Sequence, residues 1–376
     1  MRRGAVAVLL ALVPVLFVVP LADAEPAQSD LWYLDAMKAV EAQEVSQGEG
    51  VTVAVVDTGV DPEHIDLRGR VLEGAVITAD GPQPGDTSDR DGHGTAMAGL
   101  IAGSDTDSDS LIGIAPEARI LPVRIDRDAD GTLDQDLVYE GVRWAIDQGA
   151  QVVNLSLTGR GQHDDAWKRE LIEYALEHDA VIVAAVGNRT PESAEVGEPA
   201  AIPGVIAVSG MGKDGEVWSG SLTGDQVVLC APAEDLPHLR PGGGMRMASG
   251  TSAATALVSG TVALIRSAHP DASAAEVVTR LVSTATEAGD SGRDPEYGFG
   301  TVDAYAALTT TVSSGEQYPL DLPDAPAVVE IADGDVGGWW LAAPALVAVL
   351  AGGAAFLWLM RRSKGGRRMV PAESDA

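Results

Sequence analysis

An α/β fold, in which a parallel sheet is flanked by helices, is predicted by three observations. Five short runs, VTVAVVD, RILPVRI, QVVNLSL, AVIVAAV and GVIAVSGM, are apolar throughout instead of alternating, as strands covered on both faces must be. Helix-like stretches such as GTAMAGLIAG, DLVYEGVRWAIDQG and DAWKRELIEYALEHD separate these runs, and strand–helix alternation implies a parallel sheet. The 376 residues are 45% apolar, which is enough for one large core with extensions, and no internal repeat is visible.

Taken from the start, MRRG and the apolar stretch after it end in the small-residue pattern Ala22-Asp23-Ala24. This reads as a secretory signal peptide over residues 1–24, cleaved after Ala24. An uncleaved anchor fits less well, because the apolar stretch is short and contains Pro14 and Pro20. Residues 25–49 precede the first strand-like run. Single domains usually need more than about 40 residues to fold alone, so this extension is expected to wrap the main domain, assigned to residues 50–310.

Ligands of open parallel sheets bind beyond the carboxyl ends of the strands. Asp57 ends the first run, Ser156 and Leu157 end the third, and Asn188 lies just beyond the fourth, so three strands deliver polar groups to one edge. Two further segments bring chemistry: DGHGTAMAG around His93 and SGTSAATALVSG around Ser252. A serine hydroxyl is a weak nucleophile until an imidazole takes its proton, and the imidazole needs a carboxylate to fix its tautomer. Ser252, His93 and Asp57 fit those roles. Gly92, Gly94 and Gly250 leave room for sharp turns beside them. Ser252 opens an apolar helix-like run, so its N–H belongs among the unpaired amides of a helix start and supplies half of an oxyanion hole. Asn188, preceded by Gly187, supplies the other half.

The motifs VAVVDTGVD, DGHGTAMAG, VVNLSL, VAAVGN, PAAIPGVIAV, GTSAATA and YGFGTVDAYAAL stand in this order, and on them the chain resembles subtilisin-like (S8) serine proteases across roughly residues 30–310. WYLDAMKAVEAQEVSQGEGVTVAVVDTGVD and a hydrophobic segment near the end make it similar, more narrowly, to mycosins, the membrane-tethered subtilases associated with type VII secretion. The resemblance implies an endopeptidase acting on protein or peptide substrates through an acyl-enzyme. It implies that the backbone of Ser156-Leu157-Thr158 pairs with an extended substrate, and that Gly187 and Gly197 line the primary pocket. Thr158 stands where a small Gly is common and would narrow that pocket, whereas Gly197 would deepen it. Glu198-Pro199 aligns with a cis bond, and Ala256 replaces a usual Pro. The single cysteine departs from mycosins, which carry disulfides; Cys230 lies in QVVLCAPA and reads as a buried structural thiol. His64 lacks flanking glycines and reads as structural.

In DRDADGTLDQD, Asp126, Asp128, Asp130 and Gly131 match the opening of a calcium loop, but Leu137 stands at the closing Glu position. An acidic hairpin tip is the preferred reading; no metal and no cofactor is expected. The net charge of −31 argues against nucleic acid as a partner. Residues 311–338 read as a Pro/Asp/Gly-rich extended linker. The uncharged run Trp339–Met360 has the length and terminal tryptophans of a transmembrane helix, and residues 361–376 form a basic tail containing Arg361, Arg362, Lys364, Arg367 and Arg368. By the positive-inside rule the tail is cytoplasmic and the main domain faces outward, so the expected location is the cell membrane, in association with a type VII secretion complex. Two other roles remain open: a scaffold for that complex with proteolysis secondary, and a tethered degradative protease.

Overall fold

The computed structural model describes residues 31–104, 110–126, 133–159, 163–191, 193–312 and 317–323. The expected signal peptide, transmembrane helix and basic tail lie outside the described residues, as do Asp128 and Asp130. Among the described residues no helix is long and apolar enough to cross a membrane.

Strands β1 (Thr52–Asp57), β2 (Ala75–Thr78), β3 (Gly81–Gln83), β4 (Arg119–Ile125), β5 (Val152–Leu155), β6 (Val181–Ala185), β7 (Ile206–Met211) and β8 (Leu229–Pro232) form one sheet in the spatial order 3-2-4-1-5-6-7-8. Every pairing is parallel except the β2–β3 hairpin. The five apolar runs are β1, β4, β5, β6 and β7, and all six residues of β1 and of β7 are buried, as two-sided cover requires. The sheet is extended by β8, in which Cys230 is a fully buried free thiol. Burial pushes that thiol up to about 12, so it is not a nucleophile. A separate hairpin, β9 (Leu236–Leu239) with β10 (Met245–Ala248), escapes sequence inspection because its second strand, MRMA, carries no apolar run.

The register places the functional edge. Val55 of β1 pairs with Asn154 of β5, and Leu155 of β5 pairs with Ala184 of β6, so the carboxyl ends of three adjacent strands finish nearly level at the centre of the sheet.

Helix α1 (Trp32–Ala36) and helix α2 (Ala39–Gln43) come from the N-terminal extension, and α8 (Ala304–Thr309) closes the main domain. Tyr33 and Met37 are fully buried, Lys38 pairs with Asp303 before α8, and Gln43 Nε2 donates to Gly113 O at 2.8 Å and Ile114 O at 3.0 Å. Helices α4 (Gln135–Asp147) and α5 (Asp165–Glu177) are amphipathic and start on the side-chain caps of Asp134 and Asp164. Helix α7 (Ala274–Thr284) starts on Ser273, whose Oγ accepts from Glu276 N.

Two helices are buried all round. In α3 (His93–Ala102) every residue after His93 is buried, and α6 (Thr251–Ala268) is buried over nearly its whole length. The hydroxyls of Thr255, Ser259 and Thr261 return to carbonyls one turn back, which lets a helix containing them sit in the core. Within the linker assigned to residues 311–338, the described stretch 317–323 is docked: Tyr318 Oη donates to Gly204 O at 2.9 Å and Leu320 is buried. Two apolar anchors in a polar stretch are enough to dock it.

Candidate active site

Asp57 is the last residue of β1 and is almost fully buried. His93 is the first residue of α3, entered through Gly92 in the left-handed region at φ 100°. The His93 Nδ1 lies 2.8 Å from Asp57 Oδ1 and 2.9 Å from Oδ2. With Nδ1 on the carboxylate, Nε2 is the ring nitrogen that a proton transfer would use. Gly94 shows why the turn is glycine-rich: a Cβ there would meet Gly59 O at 2.0 Å.

Ser252 is the second residue of α6, and its Oγ donates to Ser156 O at 3.1 Å. Ser156 Oγ donates in return to Ser252 O at 2.9 Å. His93 and Ser156, with Asp57, Thr58, Ile125, Leu133 and Leu157, line one shallow depression, so the imidazole shares a rim with the residue whose carbonyl holds the Ser252 hydroxyl.

Asn188 has an assigned orientation. Its Oδ1 accepts from Thr251 N and from Thr251 Oγ1, both at 3.0 Å, so the oxygen is turned toward α6 and the NH2 group away from it. A Cβ on Gly250 would sit 3.4 Å from Asn188 Nδ2, which shows that this donor lies over the turn before Ser252. Around it the helix start is partly satisfied, with Thr251 N on Asn188 and Ala253 N on Gly250 O at 3.0 Å. The Ser252 N–H lies between these two, among the amides that a helix start leaves without intrahelical partners. A carbonyl oxygen at this point would meet two donors from different elements.

The remaining expectations fall as follows. Thr158 is exposed and Leu157 buried, and Gly187 takes φ 104°. Gly197 backs onto Gly159, whose N–H donates to Glu198 O at 2.9 Å, and the Glu198-Pro199 bond is cis. His64 is buried in a 3-10 turn, where Nδ1 accepts from Asp66 N at 3.3 Å. In the acidic loop, Asp126 is bound bidentately by Arg124, Asp134 caps α4 and Asp136 accepts from His163.

Comparison with known proteins places this geometry. The Subtilase family (peptidase S8) model matches residues 48–300. The chain belongs to the subtilase family. It is 33% identical over 333 residues to fervidolysin of Fervidobacterium pennivorans, covering 80% of this chain and 47% of that protein. With subtilisin E of Bacillus subtilis it shares 34% identity over 262 residues, covering 69% of this chain and 66% of that protein. This subtilase chain therefore spans about half of fervidolysin and just under two thirds of subtilisin E. Its structure is similar to that of MycP1 with the N-terminal propeptide removed, at a TM-score of 0.66 and 31% identity, covering 76% of this chain and 98% of that one.

Two features of this subtilase site went unread in the sequence. Asp89 ties the His93 turn together: Oδ1 accepts from Gly92 N at 2.8 Å and from Thr58 Oγ1 at 2.9 Å, and Oδ2 from Thr95 N at 2.8 Å. Burial pushes its pKa up, but the bonds from Gly92, Thr95 and Thr58 outweigh burial and leave it below the usual carboxylate value. The one available signal was an Asp shortly before the Gly-His pair. The second feature is Asn154, fully buried in β5, whose Nδ2 donates to Ser156 Oγ at 3.0 Å while its Oδ1 accepts from Ser259 Oγ at 3.0 Å. It pins α6 to the sheet about two turns below the nucleophile. No local sequence signal marks it, since the partner that gives it meaning, Ser259, lies on another element.

Proposed function

We propose that this chain is a membrane-anchored, outward-facing serine endopeptidase that processes exported proteins in association with type VII secretion. The observation that carries the chemistry is the bond from His93 Nδ1 to both Asp57 oxygens, on the rim of a depression shared with Ser156, the residue that holds the Ser252 hydroxyl. In the reaction Ser252 Oγ–H turns from Ser156 O toward His93 Nε2, which takes the proton as Oγ attacks the substrate carbonyl carbon. Asp57 keeps the imidazole in the Nδ1–H tautomer and stabilises its cation. The Ser252 N–H and Asn188 Nδ2 receive the developing oxyanion. His93 then protonates the departing amine, and water repeats the sequence on the acyl-enzyme. The open backbone of Ser156-Leu157-Thr158 accepts the substrate as an added strand.

Membership of the subtilase family and identity to subtilisin E support peptide hydrolysis. The likeness to MycP1, a mycosin, supports the secretion partnership, and the run Trp339–Met360 with its basic flank supports the anchor. A serine-directed phosphonate tests the chemistry: it labels the wild type and fails to label Ser252→Ala, whereas labelling that persists in the variant removes Ser252 from its role. Export assays then separate enzyme from scaffold. If Ser252→Ala and deletion of the whole protein block export equally, proteolysis is the essential role. Export that survives the substitution and fails on deletion assigns a scaffold, and export untouched by either favours the tethered degradative protease.

A further inference from the structure

We propose that His163 is a positioning residue for the backbone that receives the substrate: as an imidazolium it clips the first turn of α4 to Glu198, and the clip opens when the ring loses its proton. The inference rests on the peptidase reading above and adds a means by which pH regulates its substrate binding.

The clip is built from two carboxylates and one ring. His163 Nε2 lies 2.8 Å from Asp136 Oδ1, and Nδ1 lies 3.3 Å from Glu198 Oε2. A neutral imidazole has one N–H and one lone pair, so between two carboxylates it can serve only one; the imidazolium donates to both. Aromatic neighbours hold the ring, whose centroid is 4.5 Å from that of Trp167 and 4.8 Å from that of Tyr139. The tilted face of Trp167 favours a cation. The charged groups on the packed elements are Asp134 and Asp136 at the start of α4, Asp164, Asp165 and Lys168 at the start of α5, and Glu198, so acids outnumber bases around the ring. Tyr139, the remaining titratable neighbour, is pushed up by burial and by Glu198 and stays protonated.

Glu198 links the clip to the site. Its carboxylate also accepts from Tyr139 Oη at 2.9 Å and from Lys168 Nζ at 2.9 Å, while its carbonyl accepts from Gly159 N at 2.9 Å. Gln135, the neighbour of Asp136, packs on the same glycine: a Cβ on Gly159 would fall 1.8 Å from Gln135 Nε2. Both sides of the clip therefore meet at Gly159, one residue past the Ser156-Leu157-Thr158 backbone, whose Ser156 carbonyl holds the Ser252 hydroxyl. Desolvation pulls the His163 pKa down, but the bonds to Asp136 and Glu198 and the charges of both outweigh it and leave it above the ordinary histidine value. Burial pushes Glu198 up, and the bonds from Lys168, Tyr139 and His163 outweigh that in turn, so its carboxylate stays ionised through neutral pH. The clip is closed below the ordinary histidine value of about 6.5 and is lost as pH rises through the higher folded value.

The test uses the full-length protein in mild detergent, with KM and kcat for tetrapeptide p-nitroanilides measured from about pH 6 to about pH 10. The rate of Ser252 labelling by a small phosphonate that carries no peptide serves as the reference. For the wild type, KM is expected to rise by about 3- to 10-fold across this range, the size of one net hydrogen bond, while kcat and the labelling rate follow the His93 titration. His163→Gln, which carries no charge, should give the raised KM at every pH, and His163→Arg, cationic throughout, should keep the low one. Asp136→Asn changes an exposed side chain, removes one of the two carboxylates and should move the rise in KM to lower pH. A wild-type KM that stays level with pH, a rise that persists in His163→Gln, or a midpoint unmoved in Asp136→Asn overturns the clip and leaves the peptidase reading standing. Absence of Ser252-dependent cleavage of every peptide overturns both.

Discussion

The carboxyl edge of the sheet and the N-terminal segment that packs beside α8 are stabilised in opposite ways. At the edge, Asp57, Asp89, Asn154, Ser156 and Asn188 are fixed by directional bonds between 2.7 and 3.1 Å, and each bond sets the position of a reacting group. In residues 31–49, Tyr33, Met37, Ala39 and Ala42 are simply removed from water, and ion pairing is confined to Lys38 with Asp303 among the contacts described. Apolar burial is strong but non-directional, whereas a hydrogen bond is weak in net energy and strict in geometry. One region supplies stability and the other supplies position.

That contrast can be broken by a substitution that crosses over. The largest effect is expected for Met37→Ala, which leaves a cavity in a fully buried site and should cost about 2–5 kcal/mol of unfolding free energy with kcat and KM unchanged. Denaturant unfolding and steady-state kinetics on the same samples check it; a fall in kcat would couple the segment to the site. Next comes Asn188→Ala, expected to lower kcat by about 10²- to 10³-fold at nearly constant KM and stability. An unchanged kcat would place the oxyanion donor elsewhere.

Asp89→Ala tests whether position and stability meet in one residue. Loss of this cap is expected to cost about 0.5–2 kcal/mol and to lower kcat with it, while Asp89→Ser restores part of both. The pH dependence follows from the sign of the shift. Asp89 is depressed in the folded state, so its contribution is present above the unfolded carboxylate value, about 3.9, and is lost as pH falls through the lower folded value. Thermal unfolding of Asp89→Ala between pH 6 and about 2 should therefore fall less steeply than that of the wild type. The smallest effect belongs to Lys38→Ala: its partner is buried but the lysine is half exposed, and less than about 1 kcal/mol is expected.

The same contrast decides what could be read beforehand. The runs that became β1, β4, β5, β6 and β7 were legible because two-sided burial leaves no room for polar side chains. Asp57, His93 and Ser252 stood out because their turns need glycine beside a reactive side chain, which is a local demand. Asn154 could not be read this way. It sits inside an apolar run, and its meaning depends on Ser259, 105 residues later. Asp89 looked like one more acid in TSDRDG, and only the fold shows its carboxylate collecting two helix-start amides. The β9–β10 hairpin was invisible for another reason: β9 is buried against α3, but β10 is an outer strand whose sequence, MRMA, carries no apolar run.

The docked segment 317–323 has a mechanical consequence. Tyr318 is fastened to Gly204, just before the start of β7, whereas Ser252 and Asn188 stand beyond the opposite ends of the strands. Six residues of extended chain separate those levels by roughly 20 Å. Tyr318 and Leu320 thus fasten this segment at the amino-terminal end of the sheet, a full strand length away from the loops that carry Asn188 and Ser252.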